Sequence, residues 1–161
     1  MTENDYNNCV HLYAENVFRF IIKNLRHEED ARDIVQSAFE KLWINKDKVD
    51  TEKSKSYLFT IAYNQMIDFY RKNNRISLKE DFSEDPRIVQ QPDRQLKELI
   101  HNAMQKLNEV QRSLVMLKDY EGYSYEEIGA ITQLSASQVK VYLHRARLTM
   151  RNYLVGMNKV L

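Results

Sequence analysis

The side chains best suited to chemistry lie near the C-terminal end of the sequence, and they suit the recognition of nucleic acid. No acidic residue follows Glu127, whereas cations recur beyond it: Lys140, Arg145, Arg147, Arg151 and Lys159. On a helix one outer face would carry donors, cations and small apolar groups: Ser137, Gln138, Lys140, Val141, His144, Arg145, Leu148 and Arg151. Such groups read base edges in the major groove of DNA. The alternative is an ordinary solvated basic face on a helical bundle.

Two capping-box patterns place this basic face on the second helix of a helix-turn-helix. Ser124 with Glu127, and Ser135 with Gln138, match the pattern in which two side chains satisfy the free amides at a helix start. Only the short link TQLS separates the two helices, and helices joined so closely must cross steeply. The second helix of such a unit enters the major groove with its N-terminal end first.

A second candidate site is a predicted helix over residues 54–73, which mixes aromatic and basic residues. It carries Tyr57, Tyr63, Asn64, Asp68, Tyr70, Arg71 and Lys72, with Arg75 just beyond. Aromatic faces stack on unpaired bases and cations follow phosphates, so this surface suits single-stranded DNA. Ordinary half-buried packing is the alternative for each tyrosine, and Asp68 is equally suited to a structural cap or an ion pair.

A third candidate surface lies on the helix predicted over residues 29–45. Asp33, Gln36 and Glu40 point away from its apolar stripe, with Phe39 and Trp43 beside them. Large aromatics flanked by polar groups are typical of protein–protein hot spots. Packing of both aromatics against the first helix is the alternative.

The remaining reactive residues do not form an enzyme or metal site. Cys9 and His11 are close in sequence, but His27, His101 and His144 offer no partner at ligand spacing. The sequence has no glycine-rich phosphate loop and no nucleophile–base pattern. We therefore expect no catalytic activity, no metal and no cofactor.

The cellular location is predicted from the cysteine count and the apolar runs. One cysteine excludes an internal disulfide and fits a reducing compartment. No apolar run approaches the ~18 residues of a membrane span, and the polar start MTENDYNNCV is unlike a signal peptide. We expect a cytoplasmic protein.

The composition predicts an all-α fold of two small helical domains. Only three glycines and two prolines occur in 161 residues. Apolar spacing predicts helices over 6–26, 29–45, 54–73 and 96–107, and a further helix from Asn108 to near Gly122. The first helix should bury Val10, Tyr13, Ala14, Val17, Phe18, Ile21, Ile22 and Leu25, and the third Leu58, Ile61, Ala62, Gln65, Met66 and Phe69. Residues 1–75 and 96–161 form the predicted domains, and 76–95, rich in acids and proline, a flexible linker.

The segments DARDIVQSAFEKLW (30–43) and KSYLFTIAYNQMIDFYRKN (55–73) resemble conserved region 2 of extracytoplasmic-function (ECF, group IV) RNA polymerase sigma factors. The segment EGYSYEEIGAITQLSASQVKVYLHRAR (121–147) is similar to their region 4. Order, spacing and linker agree with the family over nearly the whole chain. The pattern departs at three positions: Gln133 replaces a turn glycine, Gly129 an alanine and Tyr57 a tryptophan.

The resemblance implies a role for each candidate site. By this resemblance, Asp33, Gln36, Phe39 and Trp43 bind the β′ clamp helices of core RNA polymerase. The β flap is a second implied contact with the polymerase. The promoter −10 element falls to the loop at about 46–56 and the third helix, with Lys53, Ser54, Lys55, Tyr57, Tyr63, Asn64, Asp68 and Arg71. The −35 element falls to Lys118, Ser137, Gln138, Lys140, Val141, His144, Arg145 and Arg147.

Two further expectations concern regulation and the linker. Family members are often held inactive by an anti-sigma factor, frequently membrane-bound. The acidic residues Glu80, Asp81, Glu84 and Asp85 would mimic nucleic acid in the polymerase's RNA channel, or simply belong to a solvated tether. A classical regulator with a helix-turn-helix and a sensing domain is the rival class, but it leaves the third helix without a purpose.

Overall fold

The protein is described by a computed structural model that covers residues 1–74 and 92–158. Within these ranges the chain is helical and has no strand, so the all-α prediction is confirmed. The helices are α1 (Glu3–Leu25), α2 (Glu28–Ile44), α3 (Ser54–Asn74), α4 (Pro92–Gln105), α5 (Glu109–Val115), α6 (Tyr125–Thr132) and α7 (Ala136–Asn158). Two short segments join them, a 3-10 turn at Thr51–Lys53 and a π-helical turn at Met116–Tyr120.

Helices α1, α2 and α3 pack against one another around Phe20, Ile21, Leu42, Leu58 and Met66. The predicted stripe of α1 is wrong at Val10, which is 36% exposed, while Cys9, Phe20 and Asn24 are buried. The buried face of α1 is turned toward these residues because α5, besides α2 and α3, packs on this helix.

Helix α3 is buried on two sides. Leu58, Ala62 and Met66 lie inside as predicted, but Phe59 and Tyr63 are buried as well. The prediction of a single buried face on α3 was wrong, because α6 packs on this helix in addition to α1 and α2. The sequence pattern of α3 alone does not reveal this second neighbour.

In the second half of the described chain, residues 92–158, helix α5 starts with a capping box. The Gln111 amide donates to Asn108 Oδ1 over 2.8 Å, and the Asn108 amide donates to Gln111 Oε1. Regular α-helix stops at Val115, short of the predicted end near Gly122, because the next turn is π-helical. Gly122 then takes the expected left-handed backbone, with φ of +73°.

The predicted helix-turn-helix is formed by α6 and α7. Both capping boxes are present: the Glu127 amide donates to Ser124 Oγ, and the Gln138 amide to Ser135 Oγ, each over 3.1 Å. Gln133, in the place of the family's glycine, adopts the left-handed conformation with φ of 66°. Gly129 permits the tight turn, since a Cβ there would lie 2.6 Å from the Leu134 carbonyl oxygen.

The two halves share one continuous hydrophobic core in the described part of the chain. The rings of Phe59 and Tyr123 meet edge to face with centroids 5.8 Å apart. The division into domains at 1–75 and 96–161, with the linker 76–95, stays a prediction. Residues 75–91, with Glu80, Asp81, Glu84 and Asp85, lie outside the described residues.

Candidate nucleic-acid interfaces

The outer face of α7 carries the predicted duplex-reading residues together. The side chains of Ser137, Gln138, Lys140, Val141, His144, Arg145, Arg147 and Leu148 are all exposed. They can be exposed together because Val139, Leu143 and Ala146 turn the opposite face of the helix into the core. The arrangement offers cations and amide donors around a small apolar centre, which is the chemistry of major-groove readout.

Lys118 joins this face from the preceding π-helical turn. Its Nζ donates to the Tyr123 carbonyl oxygen over 3.2 Å and lies 4.5 Å from the Tyr125 ring centroid. The Lys140 ammonium lies 5.3 Å from the same ring. Tyr125 thus holds two cations of different elements near each other, where both can face one phosphate backbone.

Among the exposed residues of the α7 face, Arg147 forms an ion pair with an acidic side chain, Asp119. Its Nη2 donates to Asp119 Oδ1 over 2.8 Å, and both side chains are about half exposed. An exposed pair of this kind contributes little to stability and exchanges readily for a phosphate. Arg147 is therefore available to DNA once the Asp119 contact is given up.

The loop between α2 and α3 forms a cavity of about 390 Å³ at the start of α3. Its lining residues are Asn45, Lys48, Val49, Asp50, Lys53 and Tyr57. Asn45 Nδ2 donates to the Tyr57 hydroxyl over 3.1 Å and to the Lys41 carbonyl oxygen over 2.9 Å. The volume lies within the range of small-ligand sites, and the lining combines an aromatic ring, cations and amide or carboxylate groups. These groups suit an unstacked base with its phosphate.

The predicted −10 residues fall into an exposed set and a covered set. Lys53, Asn64, Asp68 and Arg71 are exposed, and Tyr57 lines the cavity. Among the described residues no hydrogen bond or ion pair is formed by the Asp68 side chain, which leaves its suggested role as a cap without support here.

Ser54, Lys55 and Tyr63 form the covered set. The Ser54 hydroxyl is buried, accepts from Cys9 Sγ over 3.1 Å and donates to the Thr51 carbonyl oxygen over 2.6 Å. Its role in this structure is to fix the start of α3, so the assignment of Ser54 as a surface DNA contact is corrected. Tyr63 is only 6% exposed, so in this structure it follows the alternative in which the tyrosine packs in the core.

The candidate polymerase-binding face of α2 is built around Trp43. The Trp43 side chain is 39% exposed. The ring centroids of Tyr6 and Trp43 are 4.9 Å apart, and Lys46 Nζ lies 4.1 Å from the Trp43 ring centroid. Asp33 and Gln36 are exposed as expected, whereas Phe39 is 8% exposed and follows the packing alternative. Its backbone carbonyl accepts a hydrogen bond from the Tyr6 hydroxyl over 3.1 Å.

Sequence reasoning missed three residues of these surfaces. Asn45 ends the helix predicted over 29–45 and has no predicted role, Tyr6 is not assigned to any surface, and Ile44 is 76% exposed beside Trp43. A signal existed for Ile44, since an isoleucine that ends a helix next to an exposed tryptophan is off the buried stripe. Asn45 and Tyr6 depend on contacts with Tyr57 and Trp43 that only the folded chain provides.

Among residues 1–74 and 92–158, no helix has the length and apolar character needed to span a bilayer. No group of three or more His, Cys, Asp or Glu side chains in residues 1–74 and 92–158 converges as a metal site would require.

Two protein-family models match the chain in tandem. Sigma-70 region 2 matches residues 9–76, and Sigma-70, region 4, matches residues 97–150. The chain belongs to the sigma-70 family of RNA polymerase sigma factors. The predicted ECF type is confirmed by the named relatives of this sigma factor.

The sequence relatives span most of the chain. This sigma factor is 28% identical over 149 residues to RNA polymerase sigma factor YlaC of Bacillus subtilis, covering 86% of each chain. It is 30% identical over 157 residues to the ECF sigma factor SigE of Mycolicibacterium smegmatis, covering 92% of this chain and 61% of SigE.

Two solved structures share the fold of both halves. The sigma factor RpoE of Bartonella quintana, in complex with the anti-sigma factor NepR, has a TM-score of 0.75 at 23% identity, covering 93% of this chain and 96% of that one. CnrH, in complex with the cytosolic domain of CnrY, has a TM-score of 0.71 at 22% identity, covering 96% and 90%.

Proposed function

We propose that this sigma factor binds core RNA polymerase and directs it to promoters, where it reads the −35 element as duplex and the −10 element as melted strand. The observation that carries the proposal is the presence, on one chain, of an exposed major-groove face on α7 and a cavity beside α3 that fits an unstacked base. The polymerase performs the chemistry, and this chain acts in the cytoplasm without an active site.

The −35 contact is made by α7. Lys140, Val141, His144 and Arg145 enter the major groove, and Lys118 reaches the DNA backbone from the side. Each good base contact contributes about 1–3 kcal/mol of discrimination, and each phosphate contact adds to the salt dependence of binding. The exposed Arg147 exchanges Asp119 for a phosphate at little cost.

The −10 contact is made by the cavity and the exposed part of α3. An unstacked base enters the cavity lined by Asn45 and Tyr57, where the Tyr57 ring supplies a stacking surface and Asn45 Oδ1 supplies a hydrogen-bond acceptor. Lys53 and Arg71, both exposed, neutralise the strand that leads to and from that base. Capture of unpaired bases shifts the promoter toward its open form, because the ligand binds only that form.

The contact with core polymerase is made by α2. Trp43, supported by Tyr6, presents a half-exposed aromatic surface, and Asp33 and Gln36 provide its polar rim. A desolvated tryptophan at the centre of a polar ring is the common form of an interface hot spot. The proposed subunit partner is the β′ clamp, with the β flap as the contact of the second half.

We further propose an anti-sigma factor as a regulatory partner. Two structurally similar proteins are each seen with a bound partner: the sigma factor RpoE with the anti-sigma factor NepR, and CnrH with the cytosolic domain of CnrY. A protein that covers α2 and α7 together would remove both the polymerase contact and the −35 contact.

The deciding experiment is run-off transcription with purified bacterial core polymerase on a library of promoters. Addition of this chain should give initiation at a defined subset of templates, and core enzyme alone should give none. Tight duplex binding by the isolated chain, without any polymerase response, would contradict the proposal and favour a classical regulator.

A further inference from the structure

A cavity of about 560 Å³ lies between the end of α1, helix α4 and the π-helical turn. Its lining residues are Lys23, Lys97, Glu98, Ile100, His101, Met104, Gln105 and Tyr120. None of them belongs to the polymerase, −10 or −35 surfaces of the proposed function. The volume falls within the range of small-molecule sites, so the cavity is large enough for a ligand of its own.

The apolar wall of the cavity is formed by Ile100, Met104 and the ring of Tyr120. The Tyr120 hydroxyl lies 4.0 Å from the Met104 sulfur, and Tyr120 is 46% exposed, so part of its ring is open to a ligand. A flat aromatic group packs well against such a ring. The Gln105 amide, which also lines the cavity, can bond to the edge of a heterocycle.

The π-helical turn sets the position of Tyr120, its last residue. The Glu121 amide donates to the Met116 carbonyl oxygen, five residues earlier, over 3.1 Å. Turns of this kind occur frequently at functional sites. The Lys23 ammonium lies 4.5 Å from the Tyr120 ring centroid, and this cation–π contact holds the lysine at the cavity wall.

Cations dominate the polar part of the lining, with Lys23, Lys97 and His101 against Glu98. Within residues 1–74 and 92–158, neither Lys23 nor Lys97 forms a salt bridge. Lys23 is also partly buried, which removes some of the water around its charge. An ammonium group in this position gains from a bound anion, and phosphate oxygens are strong acceptors for it.

Two titratable groups report the same excess of positive charge. Burial lowers the pKa of Lys23, and the neighbouring Arg19 lowers it further. Burial also lowers the pKa of His101, and nearby cations, Arg26 first, lower it further against a smaller opposing effect of Glu98. Both shifts disfavour the charged form of the base, and an anion bound in the cavity would oppose them.

The two parts of the lining together define the class of ligand. An inorganic anion would leave the apolar wall unused, and an uncharged aromatic molecule would leave the cations without a partner. Two lysines also suit the several charges of a phosphate chain better than the single charge of a carboxylate. A nucleoside phosphate has both the flat ring and the multiple negative charge.

We propose that this cavity binds a nucleoside phosphate, with its phosphates on Lys23 and Lys97 and its base against Tyr120. The site is separate from the promoter and polymerase surfaces, so the inference goes beyond the proposed function and does not depend on it. Because the lining comes from both α1 and α4, a bound nucleotide stabilises the packing of these helices.

The test is isothermal titration calorimetry of the full-length chain at physiological ionic strength. ATP, GTP, CTP and UTP are titrated separately, beside the matching nucleosides and inorganic triphosphate. At least one nucleotide should bind about tenfold more tightly than its nucleoside or triphosphate, and it should raise the midpoint of thermal unfolding. The proposal is overturned if no nucleotide binds, or if triphosphate alone binds as tightly.

Three variants test the charges of the cavity. Lys23→Gln should weaken nucleotide binding about tenfold, the effect of one charge-assisted hydrogen bond. Glu98→Gln keeps the shape of the side chain but removes an opposing charge, and it should tighten binding. Lys106→Gln changes an exposed lysine of α4 outside the lining and should bind like the wild type.

Equal weakening by Lys23→Gln and Lys106→Gln would show a general charge effect and would overturn the site. Unchanged or weaker binding by Glu98→Gln would also overturn it, and this variant keeps the proposal testable if Lys23→Gln does not fold.

The promoter surfaces could also attract a nucleotide, and two variants separate them from the cavity. Arg145→Ala on α7 and Tyr57→Leu beside α3 should leave nucleotide binding unchanged. Loss of binding in either variant would overturn the cavity site and place the nucleotide on a promoter surface. Run-off transcription by the wild-type chain tests the proposed function separately, so initiation without nucleotide binding would overturn this inference alone.

Discussion

The Arg112 guanidinium donates a hydrogen bond to the backbone carbonyl oxygen of Asn24 over 3.2 Å, which joins α5 to the last turn of α1. Arg112 is buried, and its other donors reach the carbonyl oxygens of Met104 and Leu107 over 3.2 and 2.8 Å and the Tyr70 hydroxyl over 3.3 Å. Tyr70 itself donates to the Asn24 carbonyl oxygen. One buried cation thus satisfies carbonyl oxygens at the C-terminal ends of α1 and α4 and also contacts the Tyr70 hydroxyl of α3.

Replacement of Arg112 should therefore be among the most destabilising single changes. Arg112→Met keeps much of the apolar stem but leaves three buried carbonyl oxygens without this donor, and we expect the free energy of unfolding to fall by about 3 kcal/mol. Urea unfolding followed by circular dichroism measures the change. The matched control is Arg145→Met on the exposed face of α7, which should change stability by less than about 0.5 kcal/mol. Equal losses in both variants would contradict the role given to Arg112.

Two glycines offer a matched test of the helix-turn-helix packing. In Gly129→Ala the new methyl group would lie 2.6 Å from the Leu134 carbonyl oxygen, whereas at Gly156 no atom lies within 4 Å. Gly129→Ala should destabilise the fold by about 1–3 kcal/mol through overpacking. Gly156→Ala should stabilise it by up to about 1 kcal/mol because alanine is the better helix former. The check is the midpoint of thermal unfolding of each variant. Equal midpoints for Gly129→Ala and Gly156→Ala would contradict the close packing at Gly129.

His101 on α4 makes the stability of the folded chain depend on pH. Burial lowers the pKa of His101 below 6.5, and the nearby cations Arg26, Lys23 and Arg112 lower it further, against a smaller opposing effect of Glu98. The unfolded chain therefore takes up this proton first as the pH falls, so stability should be lost below about pH 6.5.

The measurement is urea unfolding at about pH 7.5 and about pH 5.5 for the wild type and for His101→Gln, which cannot titrate. The wild type should lose more stability between these two pH values than the variant, since all other groups are shared. An identical loss in both proteins would show that His101 contributes nothing to the pH dependence.

The features that the sequence predicted well depend on neighbours within a few residues. The capping boxes at Ser124 and Ser135 and the exposed face around Arg145 follow from local hydrogen bonds and helical periodicity. For Gln133, in the place of a turn glycine, the sequence leaves two outcomes open, a left-handed backbone or a shifted turn, and the structure has the left-handed backbone.

The features that escaped prediction depend on contacts between distant segments. Phe59 and Tyr63 are buried because α6 packs on α3, and periodicity within α3 carries no information on a second neighbour. Glu121 and Lys55 are 66 positions apart in the sequence, and nothing in either segment indicates that they pair. The Asn45–Tyr57 contact that closes the cavity depends on the exact course of the loop between α2 and α3.

In the proposed function, one chain carries a polymerase-binding face on α2 and a separate promoter-reading face on α7. Trp43→Ala should weaken capture of core polymerase by about tenfold or more, the cost of an interface hot spot. Arg145→Ala should leave that capture unchanged but lose about 1–3 kcal/mol at −35-dependent promoters.

The most direct measurement is run-off transcription from a −35-dependent promoter over a range of sigma concentrations, in parallel with affinity capture on immobilised core polymerase. A high concentration of Trp43→Ala should restore full transcription, whereas Arg145→Ala should stay defective after its complex with polymerase is saturated. If both variants fail at the same step, or if neither affects transcription, the proposed division between the two faces is contradicted.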